Sequence, residues 1–436
     1  MSSLDQSSSG GGRPVYLVDG ARTPFIKARG KPGPFTPVDL AVQAGRSLLL
    51  RQPLPKDAFD QVILGCVNVV ASEMNPGRIA ALRLGLAETI PAFTMQINCG
   101  SGMQSVDTAY RYIREGRQDL ILAGGAEALS HAPLMLTPAA TEWLAELGLA
   151  RSMGDKLKHL AKFKPGYIKP VISLQQGLTD PVVELNMGQT AEVVANLFGI
   201  SREQADDYAA SSHLRLARAQ EEGYLDDEVV PLYAPDGKVY TFDDGVRPDS
   251  TADKLAKLKP VFERPYGKVT AGNSSQITDG ASWLILASEE AVEKYGLTPK
   301  AVIKDSEWSG LEPEIMGLGP AVSAGRLAQR NKMTLDDIEL LELNEAFAAQ
   351  VLGCLAAWED ADFCRAVFDS EPLGRFNRDR LNIDGGAISL GHPVGTSGNR
   401  IVLHLMNALH RQGLKRGIAT QCIGGGQAGA MLIETV

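Results

Sequence analysis

Three things are scarce in this chain, and each shortage excludes a class of protein. There are five cysteines in 436 residues, an odd number without C-x2-C spacing, so neither a disulfide framework nor the usual zinc pattern is present. A reducing cytoplasm fits that usage. Positive charge is also short: 43 Lys and Arg stand against 52 Asp and Glu, a formal net charge of -9. A general nucleic-acid binder, whose footprint is a basic face, is thereby disfavoured, and any phosphate-bearing ligand must meet locally placed basic residues. Long hydrophobic runs are missing as well, since no stretch approaches the roughly 20 apolar residues that span a bilayer. The leading MSSLDQSSSGGGRP lacks the apolar core of a secretory signal and reads as a disordered Ser/Gly-rich tail over residues 1–14. The final Glu-Thr-Val is not a peroxisomal address. What remains is ordinary globular material, 44% hydrophobic and 22% charged, expected to form a soluble protein of two or three domain-sized units.

Short β-branched runs alternate with longer helical patterns, which reads as an α/β fold with buried strands. Residues 98–127 run from a Gly/Ser turn through an amphipathic helix carrying Val106, Tyr110 and Ile113 to an apolar strand and a glycine pair. Residues 391–424 repeat that order, with a Gly-rich turn, a helix and a strand ending at Cys422. Two similar halves around one site are inferred. The halves are expected at residues 15–129 with 278–298, and at 299–436. Residues 130–277 are less regular and read as an inserted loop domain. Within that insert, Lys156, Lys158, His159, Lys162 and Lys164 accompany Met153, Leu157, Leu160 and Phe163 at helical spacing. A solvated amphipathic helix is the plain reading, and a basic surface for CoA phosphates, an anionic membrane or a partner is the sharper one.

Four positions carry chemistry. Cys99, in NCGSGMQS, stands just ahead of a predicted helix, where free N–H groups and the positive end of the helix dipole favour a thiolate. Cys66, Cys354 and Cys364 lack such surroundings and read as small buried hydrophobes. His392, in GHPVGTSG, is placed to accept the Cys99 proton or to polarise a thioester oxygen, whereas the other five histidines read as ordinary helix or surface residues. Cys422, ahead of IGGGQ at a strand end, offers a second thiol for proton transfer to and from a carbon acid. Asn344, in NEAF, offers an amide to hold a water aimed at a developing enolate; taken alone it would be a helix N-cap.

Together CGSGMQS, NEAF, GHPVGTSG and CIGGGQAG, in this order, resemble the thiolase family, and the resemblance runs from about Val15 to Val436. It implies the duplicated thiolase fold, five layers in the order αβαβα with an inserted loop domain covering the CoA site. It further implies that Cys99 is the acylated nucleophile, that His392 activates it, and that Cys422 exchanges the proton on the acetyl carbon. Asn344 would order the water of one oxyanion hole, with His392, and the backbone N–H groups of Cys99 and Gly424 would form the other. By the same resemblance Ser275, Ala271, Phe262, Phe347 and Met187 border coenzyme A, and Arg247 lies near its adenine end. CoA enters as substrate, with no permanent cofactor and no metal. The family forms dimers, often paired into tetramers. The insert also resembles the thiolase subunit of β-oxidation multienzyme complexes, although that branch has His at position 344 and Cys-Ala-Ala at 422–424. Two rivals remain: a ketoacyl synthase, which pairs one Cys with two His, and a catalytically silent acyl-CoA binding or lipid-carrier protein on the same scaffold.

Overall fold

The computed structural model describes residues 12–436. Residues 1–11 of the expected tail lie outside the described residues. Arg13, assigned above to that tail, is fastened: its Nε donates to the Ile113 carbonyl at 2.6 Å and its guanidinium pairs with Asp119 and Glu290.

Among the described residues the two halves are built on the nine longer strands of a ten-stranded sheet, β1 (Tyr16–Arg22), β2 (Gln61–Gly65), β3 (Ala92–Met95), β4 (Leu120–Ala128), β5 (Thr278–Ala287), β6 (Ala301–Gly310), β7 (Leu340–Leu343), β8 (Arg416–Ile423) and β9 (Gln427–Thr435), with the two-residue strand Ile26–Lys27 added against β5. In the first half they lie in the order β3-β2-β4-β5-β1, and in the second β7-β8-β9-β6. The two halves share one pairing pattern. The β3–β2, β2–β4 and β7–β8 pairs are parallel, while β4–β5, β5–β1, β8–β9 and β9–β6 are antiparallel. The second copy of β3 has shrunk to a single parallel bridge between Leu341 and Leu381. The halves join edge to edge where Tyr16 pairs with Val302 and Leu17 with Ala301.

Two helices fill the space between the sheets, α3 (Ser101–Arg114) and α10 (Val394–Gln412); α1 (Pro37–Leu50) and α2 (Pro76–Arg83) cover the outer face of the first sheet, and α8 (Gly319–Arg330) and α9 (Ala348–Glu359) that of the second. Strand periodicity sorts side chains between these layers. On β2, Val62 and Leu64 face the outer core while Ile63 faces the centre, and on β9 Met431 and Ile433 face the centre while Ala430 and Leu432 face out. Both faces of each sheet are thus dry, and the strands read as continuous apolar runs for that reason. The result is the expected αβαβα stack. Local signals fix its helices: Thr36 and Asp39 form a capping box ahead of Pro37 on α1, and Gly413, at φ 64°, closes α10.

The chain leaves β4 after Ala128 and returns to the sheet at Thr278. The intervening segment contains a pair of helices, α4 (Pro138–Leu149) and α5 (Met153–Leu160), then α6 (Met187–Leu197) and α7 (Arg202–Glu221). Residues of α6 and α7 share buried clusters with α9. The α4–α5 pair does not: Met153, Leu157 and Leu160 are 72%, 61% and 48% exposed. Trp143 holds the pair together through Phe163 and Tyr167, with ring centroids 5.3 and 5.7 Å away. Among the described residues no helix is long and apolar enough to cross a membrane.

One buried ionic network crosses all three parts of the molecule. Arg22 of β1 pairs with Glu228 and Asp243 of the insert, each at 2.7 Å. His404 of α10 contacts Glu228 at 3.0 Å and Asp384 at 3.2 Å, Arg400 contacts Glu342 of β7 at 3.1 Å, and Arg411 pairs with Asp384. Sequence reasoning had left His404 as an ordinary helix residue. Its partners come from segments far apart in the chain, and no local pattern announces them.

Candidate active site

Parallel strands deliver their following loops to one end of a sheet, the usual place for a site in such folds. Cys99 follows β3, Asn344 follows β7, and Cys422 lies near the end of β8. Asn98 adopts φ 45°, a left-handed conformation that Asn tolerates, and so turns the chain at the nucleophile. The turn is braced by Ser101, whose Oγ accepts from the Ile97 N–H at 2.9 Å and donates to the Asn98 carbonyl at 2.7 Å. Asn98 Nδ2 donates to the Gly424 carbonyl at 2.9 Å, which ties this turn to the CIGGG loop.

Cys99 opens onto a cavity, yet protein encloses it enough that desolvation lifts its thiol to about 11, against the opposing pull of the Gly424 N–H. The helix start alone had suggested a thiolate. Burial outweighs it, and the resting group is a thiol. His392 is buried as well, which pushes its imidazole down to about 4, with Arg400 adding to the effect. Its Nδ1 lies 2.6 Å from Ser397 Oγ, which also reaches the Pro393 carbonyl at 3.3 Å. If that hydroxyl proton goes to Pro393, Ser397 accepts from Nδ1–H. Nε2, which has no partner, then keeps its lone pair for the site.

The starts of α3 and α10 approach closely because both are glycine-rich. A Cβ on Gly102 would lie 2.9 Å from the Gly395 carbonyl oxygen and 2.9 Å from the Asn399 nitrogen. Glu127, fully buried on β4, accepts from the N–H groups of Val67, Asn68 and Gly395 at 3.1, 2.9 and 3.0 Å, and its burial pushes it up to about 7. It anchors the start of the His392 helix. Sequence reasoning missed it, although a lone Glu in an apolar strand was the available signal.

Cys422 is buried, and burial, then the neighbouring Cys99 and Cys354, hold its thiol well above the usual range. Asn344 is fully buried with neither amide atom partnered. An unpaired buried amide is costly, and this one reads as a place kept for a water or substrate oxygen. Its neighbour Glu345 is a hub that the sequence did not reveal. The carboxylate accepts from Tyr208 at 2.9 Å, Ser212 at 2.7 Å, Asn382 at 2.9 Å and the Ile388 N–H at 3.2 Å. It thus binds the NEAF loop to α7 and to the segment leading to His392.

The residues matched to coenzyme A fall into two groups. Phe262 and Phe347 stack edge to face with centroids 6.2 Å apart, and Met187 packs against the same cluster as Cys422. Ser275 N–H donates to the Ala346 carbonyl at 2.9 Å beside them, and Ala271 is exposed nearby in sequence. Arg247 is exposed elsewhere, its backbone N–H on His213 at 3.1 Å. Lys27 and Arg29 were not singled out in the sequence. Lys27 is lowered by burial, then by the charges of Arg247 and Arg29, with Asp244 opposing; the three cations gather with this one carboxylate, which pairs with Arg29 at 3.0 Å. Cys99 also borders a cavity of about 540 Å³, lined with it by Met187 and Gly424 and by residues of the segments 129–133 and 173–181.

Comparison with known proteins fits this geometry. Residues 15–290 match the family profile "Thiolase, N-terminal domain" and residues 297–435 match "Thiolase, C-terminal domain". The chain is 39% identical to a beta-ketoadipyl-CoA thiolase of Pseudomonas aeruginosa, over 97% of this chain and all of the relative (100%). It is 36% identical to the mitochondrial trifunctional enzyme subunit beta of Bos taurus, over 97% of this chain and 88% of the relative. A crystal structure of human mitochondrial 3-ketoacyl-CoA thiolase in complex with CoA superposes with a TM-score of 0.83 at 35% identity, covering 97% of this chain and 98% of that one. With one duplicated fold, two thiols at one strand-end site and matches across both halves, the chain belongs to the thiolase family of acyltransferases.

Proposed function

We propose that this protein cleaves a 3-ketoacyl-CoA with CoA, giving acetyl-CoA and a shortened acyl-CoA, and runs the reverse Claisen condensation by the same path. The observation that carries this reading is the pair of neighbouring thiols, half-buried Cys99 opening onto the cavity and buried Cys422, accompanied by a neutral His392 imidazole with a free Nε2 and an unpartnered Asn344 amide. Cys99 Sγ attacks the 3-keto carbon as His392 Nε2 takes its proton. The carbon–carbon bond breaks, Cys422 protonates the acetyl-CoA carbanion, and the acyl group stays on Cys99. The proton held by His392 passes to the Cys422 thiolate, which restores both groups; a CoA thiol then attacks the acyl-Cys99 thioester with His392 taking its proton and returning it to the departing Cys99 thiolate, which makes the kinetics ping-pong. His392 with a water on Asn344 stabilises one developing oxyanion, and the N–H groups of Cys99 and Gly424 the other.

Met187, Phe262, Ala271, Ser275 and Phe347 line the pantetheine side in this reading. Lys27, Arg29 and Arg247 supply the local positive charge that CoA phosphates need on a chain of net charge -9. The exposed apolar row of α5 with its lysines supports docking to a partner subunit of a β-oxidation assembly. A homodimer or homotetramer and a cytoplasmic location rest on the family resemblance and cysteine usage alone. The alternative, a silent acyl-CoA carrier, makes no covalent intermediate. Intact-mass analysis after mixing with acetoacetyl-CoA separates the two: acetyl added to wild type but not to Cys99→Ala supports the thiolase, and an unmodified wild-type protein that still binds the ligand supports the carrier.

A further inference from the structure

We infer that the cavity beside Cys99 selects an uncharged acyl chain and rejects one that ends in a carboxylate. This rests on the thiolase reading for the covalent attachment to Cys99, and adds to it the chemical class of the chain. Cys99 Sγ attacks C3 of the substrate, and that carbon carries the C2–C1 arm leading to CoA on one side and the alkyl tail on the other, so the tail runs away from the pantetheine. Ser275, Ala271, Phe262, Phe347 and Arg247 do not border the cavity; Cys99 and Gly424 do, and Met187 stands at the junction, bordering the cavity while packing in the cluster that holds Phe262 and Phe347. The cavity is therefore the space open to the acyl tail.

Its walls are chiefly apolar, built from Val67, Leu129, Leu174, Leu178, Met187 and Val394. Among the described residues that line it there is no lysine, arginine or histidine, and Asp180 is the one charged side chain. Asp180 is buried and fixed, its Oδ1 accepting from the N–H groups of Val182 and Val183 at 2.8 and 3.2 Å. The side-chain donors in the wall are largely spent on the protein itself. Asn68 Nδ2 donates to the Ala128 carbonyl at 3.0 Å, Asn98 Nδ2 to the Gly424 carbonyl at 2.9 Å, and Thr179 Oγ1 to the Gln175 carbonyl at 3.0 Å. Ser173 Oγ and the exposed Gln176 remain, both on the segment 173–181. A distal carboxylate brought here loses its water, meets no cation and faces Asp180. A methylene chain loses nothing and gains burial. The name of the Pseudomonas relative specifies a six-carbon chain ending in a carboxylate; the walls here offer that group no cation, and only Ser173 and Gln176 as neutral polar groups.

The test compares chains that differ only in that group. Binding of hexanoyl-CoA and adipyl-CoA, which have no 3-keto group to cleave, is measured on Cys99→Ala by calorimetry. Thiolysis of 3-ketohexanoyl-CoA, β-ketoadipyl-CoA and acetoacetyl-CoA is measured on the wild type. Hexanoyl-CoA should bind at least about tenfold more tightly than adipyl-CoA, octanoyl-CoA about fourfold more tightly for each added methylene, and kcat/KM should follow the same order. Asp180→Asn keeps the oxygen that Val182 and Val183 use and should narrow the gap, as should Leu174→Lys, which puts a cation in the wall. Equal or tighter binding of adipyl-CoA overturns the inference whether or not the enzyme turns over. Failure of the thiolase reading shows separately, as no cleavage of acetoacetyl-CoA or of either six-carbon substrate while the binding order still decides the cavity.

Discussion

Cys99 rests as a neutral thiol and His392 as a neutral imidazole, and this sets the pH response. Because burial holds His392 near 4 in the folded protein, the acid limb of kcat/KM should fall below pH 5 and not near the 6.5 of a free imidazole. Thiolysis measured from pH 4.5 to 9 at constant ionic strength checks this, and an acid limb centred above 6 would show that the imidazole is not held neutral. Asn344→Ala should lower kcat by about 10² to 10³, the usual cost of losing an oxyanion donor, with a small effect on folding because no hydrogen bond of its amide is lost. The reactive residues were legible because each sits in a short Gly-rich motif that the chemistry itself requires. Glu127 and Glu345 were not: their meaning lies in donors such as Gly395 and Ser212, which reach them from segments more than a hundred residues away.

At the scale of elements, the crossing of α3 and α10 depends on Gly102. Gly102→Ala would set a methyl against the Gly395 carbonyl and the Asn399 nitrogen, both backbone and so unable to swing aside. Overpacking of this kind costs about 1–3 kcal/mol, and here it should part the helices that carry Cys99 and His392. We expect kcat to fall more than about tenfold, a separation of a fraction of an ångström being enough to disturb proton transfer; unchanged kcat with an unchanged melting temperature would show that the crossing tolerates the methyl. The exposed row on α5 belongs to the same scale. If α5 docks a partner subunit as proposed, changing Lys156, Lys158 and Lys162 together to Glu should abolish capture of a β-oxidation partner subunit while leaving thiolysis alone; absent or unchanged capture would return α5 to a solvated helix. Repetition of turn, helix and strand made the duplicated architecture readable. The missing strand of the second half was not readable, because one bridge at Leu381 carries no periodicity.

For the whole molecule, stability depends on charges buried where the two halves and the insert meet. Burial alone would depress His404, but Glu228, Glu342 and Asp384 raise it to about 10. A histidine raised in the folded state contributes stability that is complete below its unfolded value near 6.5 and is lost as pH climbs through about 10. The calorimetric melting temperature should therefore decline between pH 7 and 10. His404→Gln should flatten that decline and cost about 3–5 kcal/mol at neutral pH, since it leaves buried carboxylates unpaired; a steep decline retained in the variant would assign it to other groups. Glu228 moves the opposite way. Against its burial, His404 and Arg22 hold it well below the carboxylate range, so its contribution disappears on acidification through and below its unfolded value of 4.5, and the pair together gives a maximum between that value and the 6.5 of the unfolded histidine.

The most direct test of the whole is a thiolysis assay with acetoacetyl-CoA and a longer neutral 3-ketoacyl-CoA at fixed CoA, comparing wild type with Cys99→Ala and Cys422→Ala. Thiolase chemistry predicts acetyl-CoA formation by wild type, its abolition in Cys99→Ala, and in Cys422→Ala an enzyme that exchanges acyl groups between thiols but no longer cleaves the carbon–carbon bond. Wild-type protein that binds both substrates and forms no acetyl-CoA would contradict it and leave a silent acyl-CoA carrier on the same fold.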